Sequence, residues 1–182
     1  MENLKITTER LQIRNLRPSD LEHFHEYRSK PEVVKYQSFD ILSIEEAREF
    51  IAEQSNKQFG QAGEWVQYGI ENKTTSNLIG DCAIRLQLTQ PRIAEIGITI
   101  SWHEQNKGYA RESLLGIMAF LFGAKGIHRV VEIVDAKNIA SINLLKGIGF
   151  RQEGYFVENI FFKGRWGSEL QFAMLKREWE AR

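Results

Sequence analysis

The chain has 182 residues, of which 42% are hydrophobic and 26% are charged, and its 24 basic residues balance its 24 acidic residues. This length predicts one globular domain over residues 1–182. The zero net charge argues against a nucleic-acid partner, and the lack of a membrane-spanning apolar run argues against a membrane partner. A single cysteine, Cys82, excludes an internal disulfide, and the charged N-terminus lacks the form of a signal peptide, so a cytoplasmic location is expected.

The first part of the chain shows one short strand and two helix starts. Apolar and polar residues alternate over 11–13, which predicts a strand. Ser19 with Glu22, and Ser43 with Glu46, have the spacing of a capping box, in which each side chain bonds the backbone N–H at the other end of the turn. A helix is therefore expected after each serine.

The rest of the chain alternates between apolar strands and helices. Residues 109–122 are apolar on nearly every side, which predicts a buried helix, and 127–134 are rich in β-branched residues, which predicts a strand. The other predicted elements are strands at 65–70, 78–88 and 93–100, a short helix at 142–146, and a hairpin at 155–176 that turns at 163–165.

The polar loop between the strand 93–100 and the helix 109–122 is the most informative stretch. It reads Gln-x-x-Gly-x-Ala from Gln105 to Ala110. A strand, a glycine turn and a helix N-terminus form an anion cradle, because the first helical N–H groups have no partner within the helix. The loop lacks the P-loop and dinucleotide fingerprints. A plain tight turn would explain it equally well if it stood alone.

A second motif follows about thirty residues later. Asn138-x-x-Ser141 leads through the short helix to Gly149-Phe150. Together with the Gln-x-x-Gly-x-Ala loop, it resembles the GNAT acetyltransferases, and in particular the RimJ/RimL-like branch that acetylates amines with acetyl-CoA. Stretches 8–14, 78–80 and 161–166 resemble the family's opening strand, third strand and closing hairpin, so the resemblance covers nearly the whole chain.

The resemblance implies an α/β fold with a mixed, mostly antiparallel sheet of about seven strands and helices on both faces. Strands 93–100 and 127–134 would splay apart around acetyl-CoA, which is the co-substrate. Backbone groups of Ile98 and Ile100 would bond the pantetheine arm, and Asn138 would present its amide to the same arm, although it could equally be an ordinary N-cap. The segment 29–42 would form a wall of the acceptor pocket.

The pyrophosphate of acetyl-CoA would bind at the loop. The loop residues expected to contact the co-substrate are Gln105, Asn106, Lys107, Gly108, Tyr109, Ala110 and Arg111. Gly108 would let the backbone approach a phosphate closely. Lys107 and Arg111 would add positive charge, although both could equally be solvated surface cations.

Two side chains are candidates for catalysis. Glu95 lies among apolar neighbours on the strand 93–100, where burial would make it a better general base, although it could also be an outward-facing carboxylate. Ser141 is the candidate proton donor to the leaving thiolate, because RimL-like relatives use a serine at this position. Many GNAT enzymes carry a tyrosine seven residues after the asparagine, where this chain has Leu145.

These features predict an enzyme, an N-acetyltransferase that moves an acetyl group from acetyl-CoA to a primary amine, such as a protein N-terminus, by direct attack in a ternary complex. A polyamine or aminoglycoside acceptor remains open. So does a non-catalytic acyl-CoA-binding module, because the tyrosine is missing. No Cys/His cluster has metal-ligand spacing, so no metal is expected. A monomer and a homodimer are both compatible with the sequence.

Overall fold

Eight strands form one mixed sheet in the computed structural model, which describes residues 3–37 and 39–182. The strands are β1 (Lys5–Thr7), β2 (Leu11–Asn15), β3 (Trp65–Asn72), β4 (Leu78–Leu86), β5 (Ile93–Ile100), β6 (Arg129–Asp135), β7 (Arg151–Phe162) and β8 (Arg165–Leu175). Their order across the sheet is β1-β2-β3-β4-β5-β6-β8-β7, and all neighbours are antiparallel except β5 and β6. The expected sheet type is confirmed, with one strand more than expected, because the three-residue β1 is too short to show a pattern.

Six α-helices lie within the same described residues, five between strands and one after β8. They are α1 (Leu21–Arg28), α2 (Pro31–Val34), α3 (Ile44–Ser55), α4 (Tyr109–Ala119), α5 (Ile139–Ile148) and α6 (Lys176–Glu180). Single turns of 3-10 helix lie at Pro18–Asp20 and Trp102–Glu104, and a π-helical turn, Phe120–Ala124, extends α4. Among these described helices, none has the length and apolar character needed to cross a bilayer.

The two predicted capping boxes have different outcomes. Ser43 Oγ accepts a hydrogen bond from the Glu46 N–H at 3.2 Å, and the Glu46 carboxylate accepts one from the Ser43 N–H at 2.7 Å, so that box is confirmed. The box predicted for Ser19 and Glu22 is wrong. Asp20 replaces it, because its carboxylate accepts the backbone N–H three residues earlier at 2.7 Å.

The sheet separates two apolar clusters, one beneath α4 and α5 and the other beneath α1 and α3. Neighbouring residues of β4 show the alternation that produces them. Cys82 packs into the α4 cluster, whereas Asp81 points to the opposite face and binds Arg28 of α1. Helices therefore cover both faces, as expected.

The parallel neighbours β5 and β6 separate partway along their length. Their paired residues are Ile93 with Arg129, Ala94 with Val130, and Glu95 with Val131. Among the described residues no further pairing follows, and 96–100 remain bonded to β4 alone. The predicted splay is confirmed, and the gap between β5 and β6 opens after Glu95.

Several element boundaries differ from the prediction by a few residues. β7 begins at Arg151, whereas the pattern placed the hairpin start at 155. α5 is five residues longer than predicted, and its C-cap is Gly149, whose φ of 93° lies in the left-handed region that glycine adopts without strain. The Phe150 N–H then bonds the Leu145 carbonyl at 2.9 Å and closes the helix end.

Candidate active site

The backbone of β5 presents unpaired hydrogen-bonding groups to the gap. The Arg92 carbonyl, just before β5, accepts a hydrogen bond from the Arg129 N–H of β6 at 3.2 Å. Successive residues of a strand direct their N–H and C=O groups to alternate sides. The even-numbered Ile96, Ile98 and Ile100 therefore direct their N–H and C=O groups towards the β6 side. β6 is no longer paired with β5 at these residues. Unpaired backbone groups are costly to bury, so this edge favours a ligand with matching groups.

The loop before α4 ends in free backbone N–H groups. Asn106 and Gly108 have φ angles of 61° and 82°, in the left-handed region. Gly108 is the N-cap of α4 and has no side chain with which to cap the first turn. Within the described chain, the N–H groups of Gly108, Tyr109, Ala110 and Arg111 find no acceptor. They carry the positive end of the helix dipole and form a cradle for an anion.

Arg10 and Glu112 fix this loop to the edge of the sheet. The Glu112 carboxylate accepts hydrogen bonds from the Thr8 hydroxyl at 2.6 Å and from Arg10 N–H and Nε at 2.7 and 2.6 Å. Although burial opposes ionisation, these bonds lower the pKa of Glu112 below its usual value. Arg10 also donates to the Lys107 carbonyl at 3.1 Å and lies 4.4 Å from the centre of the Tyr109 ring.

A cleft of about 370 Å³, which we call the first cleft, lies between this loop, β5 and the start of α5. It is lined by ten of the twelve predicted site residues: Ile98, Ile100, Gln105, Asn106, Gly108, Tyr109, Ala110, Arg111, Asn138 and Ser141. Lys107 is not among them, and its ammonium group pairs with Glu104, which does line the cleft, at 3.1 Å. The Ile100 carbonyl accepts a hydrogen bond from the Gln105 amide at 3.1 Å, so the Ile98 backbone is the less engaged of the two.

Asn138 and Ser141 begin α5 at the edge of the first cleft. Asn138 Oδ1 accepts the Ser141 N–H at 3.2 Å, so Asn138 is the N-cap, as one of its two interpretations held. This bond uses the amide oxygen and leaves the NH2 group without an acceptor in the described chain. Leu145 is wholly buried in the α4 cluster, and Leu144 faces the cleft instead.

A second cleft, of about 560 Å³, lies on the α1 side of the sheet. Four residues line both clefts and mark where they meet: Tyr36, Gln37, Ile98 and Thr99. The segment 29–42, which the resemblance placed at the acceptor wall, also contributes Phe39 and Leu42. A ligand extending along the first cleft and another in the second cleft would therefore approach each other near Ile98.

Glu95 lies in the second cleft, away from the loop. Its side chain is 17% exposed, and Oε2 accepts a hydrogen bond from Arg85 Nη2 at 2.5 Å. The sequence argument considered burial alone and did not include this ion pair with Arg85. Glu95 is three residues from Ile98, or about 10 Å along the strand. It therefore reaches the meeting point of the clefts only through an intervening group such as water.

A buried ion pair supports the second cleft from beneath. Arg28 Nη2 and Nε donate to Asp81 at 2.5 and 3.1 Å, and the Tyr27 hydroxyl donates to the same carboxylate at 2.5 Å. Burial raises the pKa of the Tyr27 phenol, which therefore stays a protonated donor. The Arg28 guanidinium lies 3.7 Å from the centre of the Phe39 ring, so the pair also anchors the wall formed by 29–42.

The structure adds cleft residues that sequence reasoning missed. Thr99 stands at the meeting point, and Asp135 and Glu169 face the second cleft from β6 and β8. No local signal in the sequence marks them, because their position depends on contacts between distant elements. In the described residues, no group of three or more His, Cys, Asp or Glu side chains is arranged to hold a metal ion.

Comparison with known proteins identifies close relatives in sequence and structure. The profile of the acetyltransferase (GNAT) domain family matches residues 10–151. The chain is 31% identical over 176 residues to the uncharacterized N-acetyltransferase YnaD of Bacillus subtilis (strain 168), covering 97% of this chain and 99% of that protein. It is 26% identical over 162 residues to the spermidine N(1)-acetyltransferase of Vibrio cholerae, covering 86% and 87%. A GNAT-family acetyltransferase from Bacillus anthracis superimposes with a TM-score of 0.88 at 27% identity, covering 96% of this chain and 100% of that one.

Proposed function

The chain belongs to the GNAT acetyltransferase family and is an acetyl-CoA-dependent acyltransferase, and on this premise we propose that it acetylates a primary amine by direct attack in a ternary complex. The observation that carries the proposal is the meeting of the two clefts at Ile98 and Thr99. A thioester in the first cleft and an amine in the second would come together there. No covalent enzyme intermediate is needed for such a transfer.

The first cleft has groups that suit each part of CoA. The free N–H groups from Gly108 to Arg111 would bind the pyrophosphate, with the Lys107 backbone beside them and the Arg111 guanidinium supplying charge. The Ile98 backbone would bond the pantetheine amides as an added strand would. The free NH2 group of Asn138 would donate to a carbonyl of the same arm.

The acceptor must lose a proton before it can attack. A lysine-type amine has a pKa near 10.4, so its deprotonation at pH 7 costs about 4.6 kcal/mol, whereas an α-amino group costs only about 1 kcal/mol. Glu95 is the proposed base, because it is the carboxylate of the second cleft on β5 itself. Its distance along the strand requires the proton to pass through water.

The leaving thiolate must gain a proton when the C–S bond breaks. Ser141 is the proposed donor, because it lines the first cleft one turn after Asn138. Leu145 provides no hydroxyl group and lies in the core. Water is the other candidate, and an activity comparison of Ser141→Ala with the parent protein separates the two.

Two classes of acceptor fit the proposed reaction. A protein N-terminal α-amine is the acceptor that the RimJ/RimL-like motif Asn138-x-x-Ser141 favours. A small cationic amine, such as a polyamine, is favoured by the carboxylates of the second cleft and by the likeness to a spermidine acetyltransferase. In either case the amine would enter from the α1 side of the sheet.

An amine panel tests the proposed function. The protein is incubated with acetyl-CoA and with peptides bearing free N-termini, alkylamines, polyamines or aminoglycosides. Free thiol release should match the amount of acetylated amine found by mass spectrometry. Glu95→Gln should slow this transfer, and Glu49→Gln, on the exposed face of α3, should not. CoA binding without acetylation of any amine would support the non-catalytic module instead.

A further inference from the structure

Two acidic residues of the second cleft lie directly opposite each other on neighbouring strands, which costs folding stability. Asp135 at the end of β6 is paired directly with Glu169 across the antiparallel β6–β8 ladder. Both side chains line the second cleft, and we call them the carboxylate pair. Like charges directly opposite each other on one face destabilise a sheet. The carboxylate pair therefore needs an explanation outside the fold.

The contacts of the carboxylate pair do not neutralise it. Asp135 Oδ1 accepts the backbone N–H of Lys137 at 2.7 Å, and Glu169 Oε2 accepts the side-chain amide of Asn159 at 2.6 Å. Both donors are uncharged groups. Across the described chain, neither carboxylate has an ion-pair partner, and the second oxygen of each has no donor. Both residues are partly buried, so water screens their charge less than on an open surface.

The other charged groups around the second cleft cancel each other. Arg28 is paired with Asp81, and Arg85 is paired with Glu95. The carboxylate pair thus leaves the cleft with an uncompensated negative charge on its β6 and β8 side. The nearby lining is apolar, and it includes Ile133, which is 40% exposed, together with Ile160 and Phe162. Among the described residues, no third His, Cys, Asp or Glu side chain lies with the two carboxylates to form a metal site.

We propose that the carboxylate pair binds a second ammonium group of the acceptor, so that the enzyme selects amines carrying two positive charges on an aliphatic chain. The inference rests on the proposed acetyl transfer in the second cleft. The reacting amine lies near Ile98, the methylene chain packs on the apolar lining, and the other ammonium group reaches Asp135 and Glu169. The carboxylate pair orients the acceptor and takes no part in bond making.

A titration of diaminobutane and of butylamine into the CoA-loaded protein tests this inference, because the two ligands share a chain and differ in one ammonium group. The diamine should bind roughly tenfold or more tightly, since tenfold corresponds to about 1.4 kcal/mol. Asp135→Asn and Glu169→Gln should each reduce this preference severalfold, and Glu158→Gln, an exposed carboxylate outside both clefts, should not. The preference should also weaken as salt is added.

Protein stability separates lost binding from misfolding. Removing one of two like charges relieves repulsion, so both variants should unfold at the same or a higher urea concentration than the parent protein.

A second binding experiment uses peptides that carry lysine or glycine after the N-terminal residue. A carboxylate-dependent preference for the lysine peptide over diaminobutane would place the second ammonium group on a peptide side chain.

The outcomes distinguish this inference from the proposed function. Equal affinity for diaminobutane and butylamine, or a preference unchanged by both substitutions, would overturn the role of the carboxylate pair even if amines are acetylated. Carboxylate-dependent diamine binding without any acetylated product would support the pair and overturn the proposed transfer.

Discussion

Glu132 allows a quantitative test of how this fold tolerates a buried carboxyl group. Alternation along β6 places it with Val130 and Val134, which belong to the apolar cluster beneath α4 and α5. It is 5% exposed, and in the described chain Oε2 has no hydrogen-bond partner. Burial raises its pKa from 4.5 to about 8. The native protein therefore holds this group protonated at neutral pH.

The protonated carboxyl group makes stability depend on pH. Below pH 4.5 the folded and unfolded chains both bind the proton, and no penalty arises. Between pH 4.5 and 8 only the folded chain binds it, so the free energy of unfolding falls by about 1.4 kcal/mol for each pH unit. Glu132→Gln removes this dependence. The stability of the variant relative to the parent protein should rise by about 3 kcal/mol between pH 5 and pH 7.5.

Urea unfolding followed by circular dichroism measures this difference at pH 5, 6 and 7.5. For a chain of this length, a gain of about 3 kcal/mol corresponds to a rise in Tm of roughly 6–12 °C, which thermal scans can check. Glu49→Gln removes the same charge from an exposed helical position and should leave the pH dependence as in the parent protein. Identical pH dependence in Glu132→Gln and the parent protein would refute the reasoning, because Glu132 would then be ionised in the native state.

Three other substitutions probe the site. Glu95→Gln should lower kcat/KM at neutral pH by roughly 10²-fold in the thiol-release assay, and an unchanged rate would remove Glu95 from the mechanism. Asp81→Asn leaves Arg28 buried without its counterion and should cost about 3–5 kcal/mol in urea unfolding; a loss well below 1 kcal/mol would mean that water reaches the pair. Gly108→Ala puts a side chain at a φ of 82° and should cost about 1–2 kcal/mol in stability while weakening CoA binding measured by calorimetry. Unchanged CoA affinity in Gly108→Ala would argue against the cradle.

Local patterns predicted most of the fold. Alternating apolar residues identified β2, because a half-buried strand imposes a period of two on its sequence, and β-branched residues identified β6. The glycine loop before α4 was also visible, since a left-handed residue at a helix start restricts the choice of side chain. The splay of β5 and β6 came from family resemblance, because strand pairing is not encoded in either strand alone.

Contacts between distant residues limited the prediction of the site. The capping box at Ser19 failed because Asp20 caps the turn instead: its carboxylate accepts the Arg17 N–H and is held in place by Arg14 of β2. The partner of Glu95 lies on another strand, so the sequence showed its burial without Arg85. The carboxylate pair is likewise formed by β6 and β8, which are distant in the sequence and adjacent in the sheet.

The central claim is that CoA lies in the gap between β5 and β6. Amide hydrogen exchange resolved by residue, with and without CoA, tests it most directly. We predict that CoA slows exchange at Ile98 and at the amides from Gly108 to Arg111, while Gly97 and Thr99, which face β4, change little. Bound CoA with no protection at Ile98, or with equal protection at Gly97 and Thr99, would contradict the account.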